Sequence, residues 1–216
     1  MAVSAAVAVG IAVGFAPPLA HADKMDETLE FSFHTRVSSF NAGRLRLRSA
    51  AGGPALPADA GLAGRVVATS PMLRANMALQ GVRFGVGAGF EGYEGLRLRY
   101  RSAPGLDVAD GRGWGIPIEG FVGYAFEARG RVRPFVEARA AATFFGARSG
   151  LRHAEGLATE VLRLRATSIG VGARVGVLVE LNEYFFLDAG VGRVFLGTGA
   201  WTACLGIGIP IPLDNL

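Results

Sequence analysis

The sequence has few of the residues that build disulfides, metal centres or basic nucleic-acid surfaces. Its 216 residues include one cysteine, three histidines and one lysine, against 21 arginines. A single cysteine excludes an intramolecular disulfide and a cysteine-based zinc cluster, and we expect neither a metal nor another cofactor. The net charge is +4, but no run of basic residues is interleaved with aromatic residues. We therefore expect no nucleic-acid partner.

Charged residues and long apolar runs are also scarce. Only 19% of the residues are charged, and no segment after the N-terminal region holds 18 uninterrupted apolar residues, so a later membrane-spanning helix is not predicted. Hydrophobic residues nevertheless make up 50% of the chain, which excludes intrinsic disorder. Glycine is abundant, with 32 residues, but ten prolines and no three-residue period exclude collagen.

The N-terminal region has the pattern of an export signal. Residues 2–16 form an uncharged run of small apolar residues, which Pro17 and Pro18 end, and Ala20-His21-Ala22 fits a signal-peptidase site. We predict a signal peptide over residues 1–22 and one exported barrel domain over residues 23–216. A membrane anchor is the alternative, but the run is shorter than the roughly 20 residues of a span. No basic residue precedes the run, which leaves open a start codon further upstream.

The remaining hydrophobicity lies in short segments that alternate between apolar and polar residues. This period of two is typical of strands with one apolar and one polar face. Eight such segments cover residues 28–40, 72–91, 94–101, 114–129, 132–144, 168–181, 184–195 and 201–211. The phase slips near Gln80-Gly81, which we interpret as a β-bulge within one strand. Many segments reach the 9–11 residues that a tilted strand needs to cross a bilayer.

The connections between these segments alternate in length. Long connections are predicted at 41–71 and 145–160 and a medium one at 102–113. Short ones are predicted near Gly92, Gly130 and residues 182–183, and the last connection, 197–199, is also short. Long loops on one side and tight turns on the other are expected of an outer-membrane barrel. Pro210 and Pro212 cannot donate backbone hydrogen bonds, so we expect the last strand to end near Ile209.

Aromatic residues fall at both ends of the predicted strands, with aliphatic residues between them. Two aromatic girdles are expected where a transmembrane barrel meets the two headgroup interfaces. The predicted outer girdle contains Phe40, Tyr100, Trp114, Phe144, Phe195 and Trp201. The predicted periplasmic girdle contains Phe31, Phe90, Tyr93, Tyr124, Phe126 and Phe185.

Two stretches, residues 120–139 and 168–195, resemble small bacterial outer-membrane barrels, in particular the outer membrane protein A-like eight-stranded type. The resemblance covers residues 28–213 and lies in pattern more than in invariant motif. It implies an all-β fold: a closed antiparallel eight-stranded transmembrane up-and-down barrel in the bacterial outer membrane. We expect a monomer whose partners are outer-membrane lipid, lipopolysaccharide and the barrel-assembly machinery. The chain departs from the family in its last residues, which lack the usual terminal aromatic.

The interior of so narrow a barrel has room only for packed side chains, and charges buried there must pair. We therefore predict a structural ion-pair network in the lumen. Its predicted members are Glu30, Arg36, Arg97, Arg99, Glu119, Glu127, Glu137, Arg139, Arg174, Glu180 and Asp188, with Arg74, Arg83, Arg101 and Arg129 on the same faces.

These patterns favour a non-enzymatic barrel with a plugged polar lumen and a structural or surface-interaction role. One alternative is a narrow channel or a conduit for small hydrophobic molecules. Another is a lipid-modifying enzyme that uses His34; because alternate residues of a strand are about 6.5–7 Å apart, a catalytic triad there needs partners from neighbouring strands. A soluble barrel of lipocalin type, with the two faces reversed, is a further alternative.

Overall fold

The structure is a computed structural model that describes residues 27–41, 48–49, 61–63, 65–99, 106–108, 111–126, 130–153 and 159–213. The predicted signal peptide lies outside these residues. The strands are β1 (Glu27–Asn41), β2 (Arg48–Ser49), β3 (Gly61–Ala63), β4 (Arg65–Leu79), β5 (Val82–Gly89), β6 (Glu91–Arg99), β7 (Leu106–Val108), β8 (Gly111–Ala125), β9 (Val132–His153), β10 (Thr159–Glu180), β11 (Phe186–Val194) and β12 (Trp201–Pro212). Within the described part of the chain, no helix is long and apolar enough to cross a membrane.

Eight antiparallel strands close into a barrel, because the last strand pairs with the first. Their order around the barrel is β1, β4, β5 continued by β6, β8, β9, β10, β11 and β12. The closing pair, β1 with β12, extends from Ser39 opposite Trp201 to Thr28 opposite Pro212. The predicted closed all-β barrel is therefore confirmed. The short strands β2, β3 and β7 pair with β10, β6 and β9 respectively.

The two ends of the barrel differ, and we name them by their connections. The turn end holds the Gln80-Gly81 turn and the first and last described residues, Glu27 and Leu213. The loop end is the opposite end, where β1 finishes at Asn41 and β12 begins at Trp201.

The Gln80-Gly81 segment is a hairpin turn, which corrects the predicted bulge. Gln80 and Gly81 have φ angles of 47° and 82°, and Leu79 lies opposite Val82 across the turn. Positive φ at both central residues is the geometry of the tight turn that matches the twist of paired strands. Residues 72–91 therefore belong to two strands, not one.

The third barrel strand consists of β5 and β6 together, which corrects the predicted turn near Gly92. Both pair with β4 in one continuous register, from Leu79 opposite Val82 to Val67 opposite Glu94. The ladder is interrupted between Gly89 and Gly92, where the backbone N–H of Phe90 donates to the carbonyl of Pro71 at 3.1 Å. Because proline has no backbone N–H, Pro71 cannot donate a second hydrogen bond to Phe90.

Three predicted boundaries also move. β4 starts at Arg65, inside the predicted loop 41–71. β9 and β10 pair as far as Arg152 opposite Thr159, so most of the predicted loop 145–160 is a paired hairpin. β12 continues through Pro212 instead of ending near Ile209. Because β11 begins opposite Gly208, the remainder of β12 has only β1 as a neighbour. At these positions a proline therefore deprives at most one ladder of a backbone donor.

Side chains alternate strictly between the lumen and the outer surface. In β10, Arg174 is 2% exposed and its neighbour Val175 is 51% exposed. The outer surface is covered with exposed apolar side chains from all eight barrel strands, among them Phe33, Leu73, Val86, Ile118 and Ile169. A continuous apolar surface of this extent requires an apolar environment, which a lipid bilayer provides.

The lumen as candidate functional site

Among the residues whose side chains the structure describes, equal numbers of positive and negative side chains are buried in the lumen. These are five arginines and five carboxylates: Arg36, Arg74, Arg83, Arg139, Arg174, Glu30, Glu91, Glu119, Glu137 and Asp188. Their formal charges cancel. A buried charge without a partner is expensive, so this balance is what allows the polar interior to be stable.

The centre of the lumen is organised around Arg74 and Arg174. Arg174 donates two hydrogen bonds to Asp188, one from Nη1 to Oδ2 at 3.3 Å and one from Nη2 to Oδ1. Arg74 Nη2 donates to Glu137 Oε1 at 2.7 Å, and its Nε lies 3.4 Å from Glu119 Oε1. Planar guanidinium groups suit such multiple contacts. These contacts join β4, β8, β9, β10 and β11 across the barrel axis.

Towards the loop end, Arg36 binds two carboxylates. It donates from Nη2 to Glu91 Oε1 at 2.6 Å and from Nη1 to Glu119 Oε2 at 3.0 Å, and the Tyr93 hydroxyl donates to the other oxygen of Glu91. Arg139 donates to the Thr202 hydroxyl at 2.6 Å. Towards the turn end, Glu30 accepts from Asn76 and Arg83, at 2.5 Å in each case.

Apolar layers lie at both ends of this charged region. At the turn end, Phe135, Phe186, Leu178 and Ala125 form a buried cluster, and the Arg174 guanidinium lies 4.8 Å above the Phe135 ring. At the loop end, the Tyr93 ring packs against two phenylalanines, with centroid distances of 5.8 Å to Phe40 and 5.1 Å to Phe145.

A small cavity lies in the loop-end half of the lumen. Its volume is about 60 Å³, and Arg36, Glu91, Tyr93, Arg139 and Thr202 are among its lining residues. The cavity is polar and large enough to hold ordered water.

His34 lies at the centre of the lumen and does not form a catalytic triad. Its Nε2 is 2.7 Å from the Ser32 hydroxyl and 3.8 Å from Asp188 Oδ2. In a triad, the serine contacts Nε2 while the carboxylate binds Nδ1 on the other side of the ring. Here both partners meet the same nitrogen, and all three residues are buried. The imidazole also reaches Ser32 along its own strand, a contact that the strand spacing alone does not predict.

The predicted network residues fall into three groups. The structure brings together nine in the lumen: Glu30, Arg36, Arg74, Arg83, Glu119, Glu137, Arg139, Arg174 and Asp188. Glu180 lies instead at the turn-end rim, 3.2 Å from Arg133 Nε. The structure does not describe Glu127, Arg101 and Arg129. It describes the backbone of Arg97 and Arg99 on β6 but not their side chains.

Glu91 is the network residue that the sequence analysis missed. The predicted single strand over residues 72–91 puts Glu91 at a strand end. Once Gln80-Gly81 is recognised as a turn, Glu91 lies inside the third strand and shares the inward phase of Arg83 and Gly87.

Most predicted girdle residues lie on the outer surface, with some corrections. Exposed aromatics at the loop end are Trp114, Phe144, Phe195 and Trp201, and those at the turn end are Phe31, Tyr124, Phe126 and Phe185. Phe90, predicted for the periplasmic girdle, instead stacks on Trp114 at the loop end, with centroids 6.5 Å apart. Phe40 and Tyr93 are buried in the lumen. Tyr100 lies outside the described residues.

The arrangement offers no recognisable reaction centre among the described residues. No group of three potential metal-ligating side chains occurs in them. Cys204 is half-buried, and its sulfur lies 3.5 Å from the Gly190 carbonyl oxygen.

Comparison with known proteins gives structural matches only. No family model matches the sequence, and no curated protein matches it. The outer membrane protein OprG from Pseudomonas aeruginosa is 10% identical with a TM-score of 0.52, covering 88% of this chain and 99% of that chain. Neisserial surface protein A is 18% identical (TM-score 0.43; 86% and 97% covered). Ail, the attachment invasion locus protein of Yersinia pestis, is 13% identical (TM-score 0.42; 87% and 100% covered). The chain therefore has the closed antiparallel eight-stranded transmembrane fold of small bacterial outer-membrane barrels.

Proposed function

We propose that this protein is a non-enzymatic barrel of the bacterial outer membrane with a closed lumen and a structural or surface-interaction role. The observation that carries the proposal is the set of five arginines and five carboxylates that lie buried among the described residues and whose formal charges cancel. An apolar layer covers this set at each end. A permanent path for solute would have to break several charge-assisted hydrogen bonds in a low-dielectric interior.

In this proposal the loop end faces the cell exterior and the turn end faces the periplasm, the usual orientation of outer-membrane barrels. The apolar outer surface meets outer-membrane lipid and lipopolysaccharide, after insertion by the barrel-assembly machinery. The barrel acts as a monomer, since β12 pairs with β1 and closure removes the strand edge that would recruit a second copy. The paired β9–β10 hairpin extends beyond the rung of Phe144 and supplies the surface for external contacts.

Planar-bilayer recording of the refolded protein tests the closed lumen. Folding and insertion are first verified by a heat-dependent change in gel mobility. An absence of current can then be attributed to a closed lumen and not to failed reconstitution. We expect no stable single-channel currents from the wild-type protein. The matched variant Arg74→Ala/Arg174→Ala empties the centre of the lumen, and brief or stable currents are expected from it. Large, stable wild-type currents would contradict the proposal and favour the channel alternative.

A further inference from the structure

One buried arginine of the lumen, Arg139, has no carboxylate as a hydrogen-bond partner among the described residues. The other four each donate to at least one carboxylate: Arg36, Arg74, Arg83 and Arg174. Arg139 instead donates from Nη2 to the Thr202 hydroxyl at 2.6 Å, and its buried Nε has no hydrogen-bond partner in the same part of the chain. Because only 6% of Arg139 is exposed, bulk water does not compensate its charge.

The carboxylate that comes closest to compensating Arg139 is held by other arginines. Glu119 Oε2 lies 4.0 Å from Arg139 Nη1, which is too far for a hydrogen bond. The same oxygen accepts from Arg36 Nη1 at 3.0 Å, and Glu119 Oε1 lies 3.4 Å from Arg74 Nε. The buried formal charges of the described lumen side chains cancel as a set, but Arg139 is left without a counterion of its own.

Arg139 lines the loop-end cavity of about 60 Å³, together with two other charged residues that the structure describes there, Arg36 and Glu91. Both oxygens of Glu91 are already occupied, one by Arg36 and the other by the Tyr93 hydroxyl. These three charged side chains leave one positive charge at the cavity, and that charge belongs to Arg139. A cavity with this balance favours an anion over a cation.

Hydroxyl groups surround the same cavity and supply further hydrogen-bond donors. Besides Thr202, the residues that carry them are Ser38, Thr143, Ser168 and Thr198. Each hydroxyl can donate one hydrogen bond to an anion. The volume excludes a nucleotide, a sugar or a lipid headgroup, and it leaves room for a halide ion or a carboxylate of one or two carbons.

We infer that Arg139 and the surrounding hydroxyl groups bind one small monovalent anion, a halide or a small carboxylate, inside the barrel. Hydrogen bonds from a guanidinium to an anion are strong in a low-dielectric interior, and the anion supplies the counterion that Glu119 does not. Thr198 and Ala200, in the β11–β12 connection, line the cavity, so the anion exchanges through the loop end. The inference rests on the closed lumen of the proposed function and adds a ligand that is held there and not conducted.

Urea unfolding of the refolded protein in vesicles of zwitterionic phospholipid tests the inference. Sodium chloride or sodium acetate replaces sodium gluconate at constant ionic strength, so that charge screening is the same throughout. Gluconate is too large for the cavity and serves as the reference anion. A ligand that binds only the folded state stabilises it increasingly as its concentration rises. We expect the urea midpoint of the wild type to rise with chloride or acetate, and the anion that acts at the lower concentration is the preferred occupant.

Three variants separate a bound anion from a general effect of salt. Arg139→Gln should abolish the anion dependence, because it removes the cation. Thr202→Asp should also abolish it while keeping the arginine, because it places a carboxylate where Arg139 donates to the hydroxyl. The control Arg131→Gln changes an exposed arginine at the turn end and should keep the full wild-type dependence. In wild-type crystals soaked in bromide, we expect an anomalous scattering peak in the cavity beside Arg139.

A wild-type midpoint that is the same in chloride, acetate and gluconate would overturn the inference, as would an equal anion dependence in the wild type and in Thr202→Asp. If Arg139→Gln does not refold, Thr202→Asp and the bromide position still decide, and a cavity without bromide counts against the site. Planar-bilayer recording judges the closed lumen separately. Wild-type currents together with an anion-dependent midpoint contradict the closed lumen alone, whereas a silent wild type without anion dependence contradicts the anion site alone.

Discussion

Asp188 binds Arg174 on the neighbouring strand, and the guanidinium of Arg174 lies directly over Gly190. A β-carbon at Gly190 would be only 2.8 Å from Arg174 Nε, so the glycine provides the space that the bidentate contact needs. Asp188 Oδ2 also lies 3.8 Å from both Arg74 Nη1 and His34 Nε2. This carboxylate is therefore shared by three cationic or polar partners at the centre of the lumen.

Neutralising that carboxylate should destabilise the barrel severely. Asp188→Asn keeps the shape of the side chain but leaves Arg174 with a buried and poorly compensated charge. Breaking one partner of a buried ion pair costs about 3–5 kcal/mol. The double variant Asp188→Asn/Arg174→Met removes both charges and should recover part of this loss. Urea unfolding of the protein in lipid vesicles, read by gel mobility, measures both, and a double variant as unstable as the single one would contradict the pairing.

Gly206 should tolerate no side chain while His34 is present. A β-carbon there would lie 2.6 Å from His34 Nδ1, and overpacking of this kind costs about 1–3 kcal/mol. Gly206→Ala should therefore lower the free energy of unfolding, and His34→Ala in the same chain should relieve the clash. Gly92→Ala is the matched control, since no atom lies within 4 Å of its β-carbon position. An equal effect of the two alanine substitutions would refute the packing account.

The turn between β4 and β5 predicts a stabilising substitution. Gln80 has a φ of 47°, a left-handed conformation that asparagine adopts more readily than glutamine. Gln80→Asn should stabilise the protein by up to about 1 kcal/mol. Gly81→Ala should destabilise it, because a β-carbon at φ 82° would also lie 2.9 Å from the Ala125 carbonyl oxygen. Both effects are measured by the urea midpoint, and a lower midpoint for Gln80→Asn would count against the turn geometry.

The inward and outward faces of the strands could be predicted from the sequence because alternation is a local property. Arg174 and Val175 are adjacent, and pleating alone sends them to opposite faces. The division of residues 72–91 could not be predicted in the same way. A two-residue turn and a one-residue bulge both shift the apolar phase, so the slip at Gln80-Gly81 fits either. A proline within a run of residues also indicates a loop in place of a strand, and Pro71 fits that pattern. In the structure Pro71 nevertheless lies within β4, where its carbonyl accepts a hydrogen bond from the backbone N–H of Phe90.

The partners within the lumen network could not be assigned from the sequence either. Arg36 binds Glu91 and Glu119, which are 55 and 83 positions away along the chain. Which inward residues meet depends on the register of every intervening hairpin and on the tilt of the strands in the closed barrel. The alternation of side chains along each strand predicts which charged residues point inward. Which of them contact each other depends on how the strands close into a barrel.

The apolar face of the barrel meets lipid, and the charged face fills the lumen. Quenching of a single tryptophan by brominated phospholipids tests it most directly, in a chain where Trp114 and Trp201 are replaced by phenylalanine. Phe33 is 49% exposed in the middle of β1, and Phe121 is 7% exposed on the inward face of β8. We expect the tryptophan introduced by Phe33→Trp to be strongly quenched by the brominated lipid and shielded from aqueous iodide. We expect the one introduced by Phe121→Trp to be quenched by neither. Quenching of the Phe33→Trp variant by iodide but not by brominated lipid would contradict the account, because the apolar face would then not meet the membrane.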